Sequence, residues 1–279
     1  MNLDALWHDL ECGGYSEDLP LWRELAAEHG GPVLDVGAGT GRVTVNLARA
    51  GAEVIALDIE PRLLEALERR AGGLPVETLT ADARALPPGR PVALIVVPMQ
   101  TLQLLDGPAG RAAFLRAAHA RLRPGGLVAA ALADPVDCFD DEHPDPPPPE
   151  ACEIAGVRYS TQLLEVTPDG ELRRRREIAG PAERYEAHDV SVRLDRVSAD
   201  EVAAEAERLG YRPEPHREIS ETERYLGSTV VMLRVQRSTG MSPLTRVPRP
   251  GAESTSSVPP TAVTRSSRFV RPDPPGTAA

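Results

Sequence analysis

Lysine is missing from this chain, so all 31 of its Lys-plus-Arg residues are arginine. Without a lysine amine, no Schiff-base chemistry is open to it. Cysteine is scarce: Cys12, Cys138 and Cys152 are odd in number and none has C-x-x-C spacing. That argues against a disulfide framework and against a zinc site, and for a reducing compartment. No run of eighteen apolar residues occurs, so no membrane span is expected. The start "MNLDALWHDLEC" lacks a basic segment followed by an apolar core, so no signal peptide is expected either. A positive balance is absent too. The net charge of −11 makes a poor general binder of phosphate backbones. The expectation is a soluble, cytoplasmic protein with no nucleic-acid and no membrane partner; oligomeric state stays open.

What the chain has is enough apolar residue, 41% of 279, for a sizeable core. From 31 to about 133, short Val/Leu runs alternate with amphipathic segments: "PVLDV", "GRVTVNLARAG", "EVIALD", "PRLLEALERRAG", "PVETLTAD", "PVALIVVP", "GRAAFLRAAHARLRPGG" and "LVAAALAD". Apolar runs separated by helices that end in glycine predict parallel strands in a covered, doubly wound α/β sheet. "RLRPGG" predicts a helix stopped by Pro124 and Gly125.

The pattern then changes. The acidic, proline-loaded stretch 134–150 cannot continue a helix or a central strand. Residues 154–197 predict an antiparallel β insertion, with "TPDG" at 167–170 as a hairpin turn. "SADEVAAEAERLGY" returns to helix, capped by Ser198 and stopped by Gly210. Two last strands follow. Residues 1–237 thus form one α/β domain, and 238–279, rich in Ser, Thr, Pro and Arg, a disordered tail.

The stretch "PVLDVGAGTGR" (32–42) puts glycines at 37, 39 and 41 between a strand and a helix. Such a loop lets backbone N–H groups approach a ligand, and it serves several nucleotide cofactors. A dinucleotide loop wants its third glycine at 42, which is Arg, and no G-K-[ST] follows to make a P-loop. Asp35, Asp58 and Asp82 end the first three strands around one crevice. Three carboxylates repel a pyrophosphate. They suit a ligand carrying a sulfonium, an ammonium and an adenosine.

At these residues the sequence resembles the class I S-adenosylmethionine-dependent methyltransferases. "VLDVGAGTGR" is similar to the family's first motif, "ALDIEP" to its second acidic strand end, and "TADAR" to its adenine corner; "LRPGGLVAAAL" resembles the turn into its fifth strand. The resemblance implies a mostly parallel seven-stranded sheet with an antiparallel last strand, and S-adenosyl-L-methionine as cofactor. It implies that Gly37, Ala38, Gly39 and Gly41 pass the methionyl part and that Asp35 lies near its amino group. Asp58, with Ile59 beside it, would hold the ribose, and Asp82 with Ala83 the adenine. The activity implied is methyl transfer to a small-molecule O, N or C acceptor. The fourth strand departs from the family pattern: Ala93 replaces an acid at its start. Its end, Pro98-Met99-Gln100-Thr101, is not the N-P-P-Y form, which disfavours DNA adenine and protein glutamine as acceptors. A spermidine-synthase-like aminopropyl transferase, an NAD(P)-dependent oxidoreductase and a non-catalytic binder of the cofactor remain alternatives.

Other residues are ambiguous. Tyr15 either faces the sulfonium or packs the N-terminal segment. Trp7 and Trp22 read as packing residues. No general base stands out; His188, on a strand of the insertion, is the weak choice against a plain surface histidine. His119 reads as surface. The cluster Asp140-Asp141-Glu142-His143 reads as a solvated loop rather than a metal site, and Arg173–Arg176 as a solvated strand face.

Overall fold

The computed structural model describes residues 2–138, 147–181, 184–222 and 225–236. The tail predicted at 238–279 and the acidic cluster at 140–143 lie outside them. Two helices come first, α1 (Leu3–Cys12) and α2 (Leu19–His29). An alternation of strands and helices follows: β1 (Val33–Val36), α3 (Arg42–Arg49), β2 (Val54–Asp58), α4 (Pro61–Ala71), β3 (Val76–Thr80), β4 (Val92–Val97), α5 (Gly107–Arg121) and β5 (Leu122–Leu132). Four strands then form the insertion, β6 (Glu150–Ile154), β7 (Val157–Val166), β8 (Glu171–Ala179) and β9 (Tyr185–Arg193). The chain returns through α6 (Ala199–Glu207), β10 (Tyr211–Ile219) and β11 (Ser228–Val235).

The main sheet has the order β10-β11-β5-β4-β1-β2-β3. The five strands from β5 to β3 are parallel, and β11 runs antiparallel to both β5 and β10. This is the doubly wound, seven-stranded sheet expected. β1, β2 and β4 are buried along their whole lengths, because helices cover both faces. Alternation decides which side chain meets which layer. Leu34 and Val36 face Phe114, Leu115 and Val202 of the α5–α6 layer; Val33 faces Trp22, Leu25 and Leu47 of the α2–α3 layer. Trp22 is fully buried, and emptying such a site costs about 3–5 kcal/mol.

The helix before β5 ends at Arg121, before Pro124, and "LRPGG" opens the strand itself. The predicted α6 signals hold: Ser198 and Glu201 form a capping box, and Gly210 turns at φ 90°. The insertion is a separate antiparallel sheet ordered β6-β7-β8-β9, and it starts at Glu150 rather than 154. Its Tyr159 and Ile178 pack against Trp7 of α1. Among the described residues no helix is long and apolar enough to cross a membrane.

Candidate functional site

The carboxyl ends of β1, β2 and β3 bring the predicted acids to one edge. β1 and β2 are in register through Val36↔Leu57, and β2 and β3 through Asp58↔Thr80. Adjacent parallel strands stand about 4.8 Å apart, so Asp35, Asp58 and Asp82 come from three neighbouring strands. After Val36 the loop bends towards β2: the N–H groups of Gly37 and Ala38 both donate to Leu57 O at 2.9 Å. Asp58 then clamps the loop, its Oδ2 accepting from Gly39 N at 2.8 Å and its Oδ1 from Glu60 N at 2.9 Å. A carboxylate offers about four acceptor sites, so both oxygens keep capacity for hydroxyl donors. Ile59, the next residue, is 66% exposed. It is apolar surface at the crevice mouth.

Each loop glycine has a tenant. A Cβ on Gly37 would stand 2.6 Å from Thr101 Cγ2, and one on Gly41 2.7 Å from Leu67 Cγ. One on Gly39 would overlap the imidazole of His8. All three glycines also have positive φ, 73°, 55° and 96°, which side-chain-bearing residues adopt only at a cost. The bare backbone therefore lets α1, the turn after β4 and α4 close on the loop. Met99, between β4 and the Thr101 turn, holds φ at 52°, a strained conformation for a residue with a side chain.

Asp35 is 1% exposed; its Oδ2 accepts from Thr44 Oγ1 at 2.6 Å and its Oδ1 has no partner. Burial pushes its carboxyl up to about 6, against the hydrogen bond from Thr44 and the charge of Arg42. Asp82 is more exposed. It caps the short turn Ala83–Ala85 by accepting from Arg84 N, and the Arg84 guanidinium beside it holds its carboxyl below the usual range. Ala83 is buried next to it.

Tyr15 is buried, with the Arg42 guanidinium 5.1 Å from its ring centroid and the Tyr225 ring at 5.0 Å. Its hydroxyl lies beside Ser228 without closing a hydrogen bond, and burial pushes it up to about 12. Trp7 and Trp22 pack as expected. His188 stands exposed on β9, the edge of the insertion sheet, with its ring 6.4 Å from Trp7. His119 is half-buried rather than surface, edge-on to Tyr211 at 5.3 Å. Within the arginine run, Arg173 and Arg175 are exposed as expected, and Arg176 is not. Arg173 and Arg175 pair with Asp189, while Arg176 turns inwards to Glu11 and Trp7.

The sequence reading missed His8. Its ring lies against Gly39, its Nδ1 is 3.3 Å from Thr40 Oγ1, and Asp58 is among the carboxylates that act on it. Burial nevertheless holds its pKa below the usual imidazole range. Nothing in "DALWHDLEC" marks that histidine, because its contact is with a loop 31 residues away.

Further along the same sheet edge, past β4 and β5, opens a cavity of about 520 Å³. Its walls are the end of β5 (Leu132, Ala133, Asp134), the start of α6, and the turn between β10 and β11 around Ile219 and Ser228. Its charged lining is Asp134, Asp137, Glu201 and Glu218 against Arg196 alone, which pairs with Asp134 at 2.6 Å. Among the described residues no group of three His, Cys, Asp or Glu side chains could hold a metal.

Comparison with known proteins agrees with this geometry. Residues 33–126 match the model of a family described as a methyltransferase domain. Over 108 residues the chain is 32% identical to a cypemycin N-terminal methyltransferase of Streptomyces, covering 39% of this chain and 44% of that protein. Over 101 residues it is 37% identical to a ubiquinone biosynthesis O-methyltransferase of Methylocella silvestris, covering 36% and 38%. The matches thus span less than half the length of these relatives. In fold the chain is similar to an S-adenosylmethionine-dependent methyltransferase from Clostridium acetobutylicum, with a TM-score of 0.62 and 14% identity over 83% of this chain and 96% of that one. The resemblance to class I methyltransferases read from the motifs therefore holds for residues 33–126 and for the fold.

Proposed function

We propose that this chain is an S-adenosylmethionine-dependent methyltransferase that acts on a small-molecule acceptor. The observation that carries the reading is Asp35: a carboxylate buried beside the glycine loop with one oxygen unpartnered. A buried acceptor without a donor is costly, and the ammonium of a methionyl group supplies both the donor and the charge. The other residues fit the same group. Asp58 has acceptor capacity left for a ribose diol, and exposed Ile59 beside it offers an apolar face to a base. No side chain caps the first turn of α3, so its N–H groups are available to a carboxylate. Asp82 and Ala83 stand at the end of the next strand for the adenine, Asp82 already sharing its oxygens with Arg84.

S-adenosylmethionine, when bound, supplies a methyl carbon already activated by a sulfonium. In-line displacement at such a carbon asks the protein for alignment and a dry site more than for acid–base chemistry. The chain's residues match that demand. Asp58 fixes the loop, and Thr101 and Leu67 lock it from two sides. The acceptor side is the 520 Å³ cavity. Four carboxylates against one arginine favour a neutral or cationic acceptor, an amine above all, over an anionic one.

Calorimetry with S-adenosylmethionine tests the reading. Wild type binds, and Asp58→Ala and Gly39→Arg do not; silence of the wild type and of a folded His8→Ala overturns it. Labelled S-adenosylmethionine, incubated with the protein and a lysate of its own cells, then locates the acceptor.

A further inference from the structure

α1 is a strap anchored on two sides, with one side chain in the crevice. On the cofactor side, Asp4 pairs with Arg62 at 3.0 Å, and Asp9 binds Arg70 and accepts from Thr40 Oγ1 at 2.6 Å. Arg70 also donates to Thr40 O at 3.1 Å, so this tie is made to the glycine loop itself. On the other side, Glu11 takes Arg176 in a bidentate pair, 2.8 Å for each bond, and accepts from Thr161 Oγ1 at 3.1 Å. Trp7 adds a packed contact with Tyr159 and Ile178 of the insertion sheet, under the guanidinium of Arg176. Between these anchors His8 presses on Gly39 and lies within the field of Asp58. That is where the proposed function seats the methionyl and ribose parts of the cofactor.

We infer that His8 is a gate: its imidazole and the cofactor compete for the space above Gly39. Opening the gate moves α1 and so releases its hold on the β6–β9 sheet through Glu11. This rests on the cofactor reading above. In the closed state the competent fraction is small, and the apparent dissociation constant is raised by the inverse of that fraction. Because α1 is bonded to both bodies, the cost of opening is shared between them. Cofactor binding and the seating of the sheet are therefore linked, and the linkage is reciprocal.

S-adenosylhomocysteine is the probe, with the full chain, followed by calorimetry and by hydrogen exchange of residues 3–12. His8→Ala, which empties the space above Gly39, binds it at least threefold more tightly than wild type. Glu11→Gln, which cuts the charge tie to Arg176 and leaves His8 in place, shifts affinity the same way by a smaller factor. In the wild type, the amides of α1 exchange faster in the complex than in the free protein. Affinity that is unchanged or weaker in His8→Ala makes the imidazole a bystander or a cofactor contact and overturns the gate. So does slower exchange of α1 on binding, which also decides the matter if His8→Ala fails to fold. Binding by His8→Ala where wild type is silent supports the gate. Silence of the wild type and of a folded His8→Ala together sinks the cofactor reading itself.

Discussion

Asp18 and Arg42 form a bidentate ion pair, with Nη1–Oδ1 at 2.5 Å and Nη2–Oδ2 at 2.7 Å, and the aspartate is fully buried. The same carboxylate accepts from Trp22 Nε1 at 2.8 Å, and Arg42 Nη1 also donates to Tyr15 O at 3.0 Å. Arg42 stands where a dinucleotide loop has its third glycine. Its side chain instead fastens the segment between α1 and α2 to the start of α3.

Arg42→Gly therefore restores the G-x-G-x-x-G spacing and loses the fastening. Removing one partner leaves Asp18 as an uncompensated buried charge, at about 3–5 kcal/mol. Urea unfolding should show that loss, and a thermal-shift assay should show no gain of NADH binding. Asp18→Asn with Arg42→Met keeps an acceptor for Trp22 and recovers most of the stability. A single variant as stable as wild type would contradict the buried-pair account.

Asp35 makes pH an informative variable. Burial raises its folded-state pKa to about 6 from 3.8. The protonated form is thus the better folded one: the contribution of Asp35 to stability is greatest below about pH 4 and declines as pH rises to 6, by up to about 3 kcal/mol. Asp35→Asn should be more stable than wild type at pH 7 and similar to it at pH 4. A bound cation reverses the preference, because it needs the carboxylate. Affinity for S-adenosylmethionine should fall as pH drops below 6, up to tenfold per pH unit, and be absent in Asp35→Asn. Calorimetry at pH 5 and 7.5 checks this; pH-independent affinity refutes the role.

The contact of Gly37 with Thr101 predicts a measurable coupling. Gly37→Ala costs stability through both its φ of 73° and the 2.6 Å overlap. On a Thr101→Ala background the overlap is partly relieved, with 3.2 Å to Thr101 Cβ remaining. Gly37→Ala should cost about 1 kcal/mol less there than in wild type. Equal costs would mean that the backbone angle alone requires the glycine.

Gln103, 1% exposed, donates to Ala133 O and Asp195 O, both at 2.9 Å, and accepts from Ala133 N at 3.1 Å. It staples the strand end that leads into the 520 Å³ cavity to the segment that leads into α6. Gln103→Leu leaves these backbone groups without partners, at about 2–4 kcal/mol. It should raise KM for the acceptor more than the Kd for S-adenosylmethionine. A Tm within a degree of wild type would refute the staple.

The central sheet was legible because β1, β2 and β4 are apolar runs bounded by glycine or proline, and burial on both faces demands such runs. Asp58 was legible for a related reason, as a polar residue closing an apolar run; Asp35 sits one residue inside the end of β1 and Asp82 two residues beyond β3. β6 was not legible, since "EACEI" follows a proline run and is too polar to stand out. Arg176 misled because strand alternation says which residues share a face, not what covers it. Here α1 covers Arg176. His8 and Asp18 were silent because their importance comes from chain segments that only folding brings together.

The two indoles of this chain sit on different helices, Trp7 on α1 and Trp22 on α2. Trp22 is locked in the core by Asp18, whereas Trp7 rides on the strap, packed against the insertion sheet and Arg176. The molecule thus carries its own optical reporter. Any movement of the N-terminal helix away from that sheet wets one fluorophore and leaves the other dark to the event, so a red shift in emission would time the motion without a label.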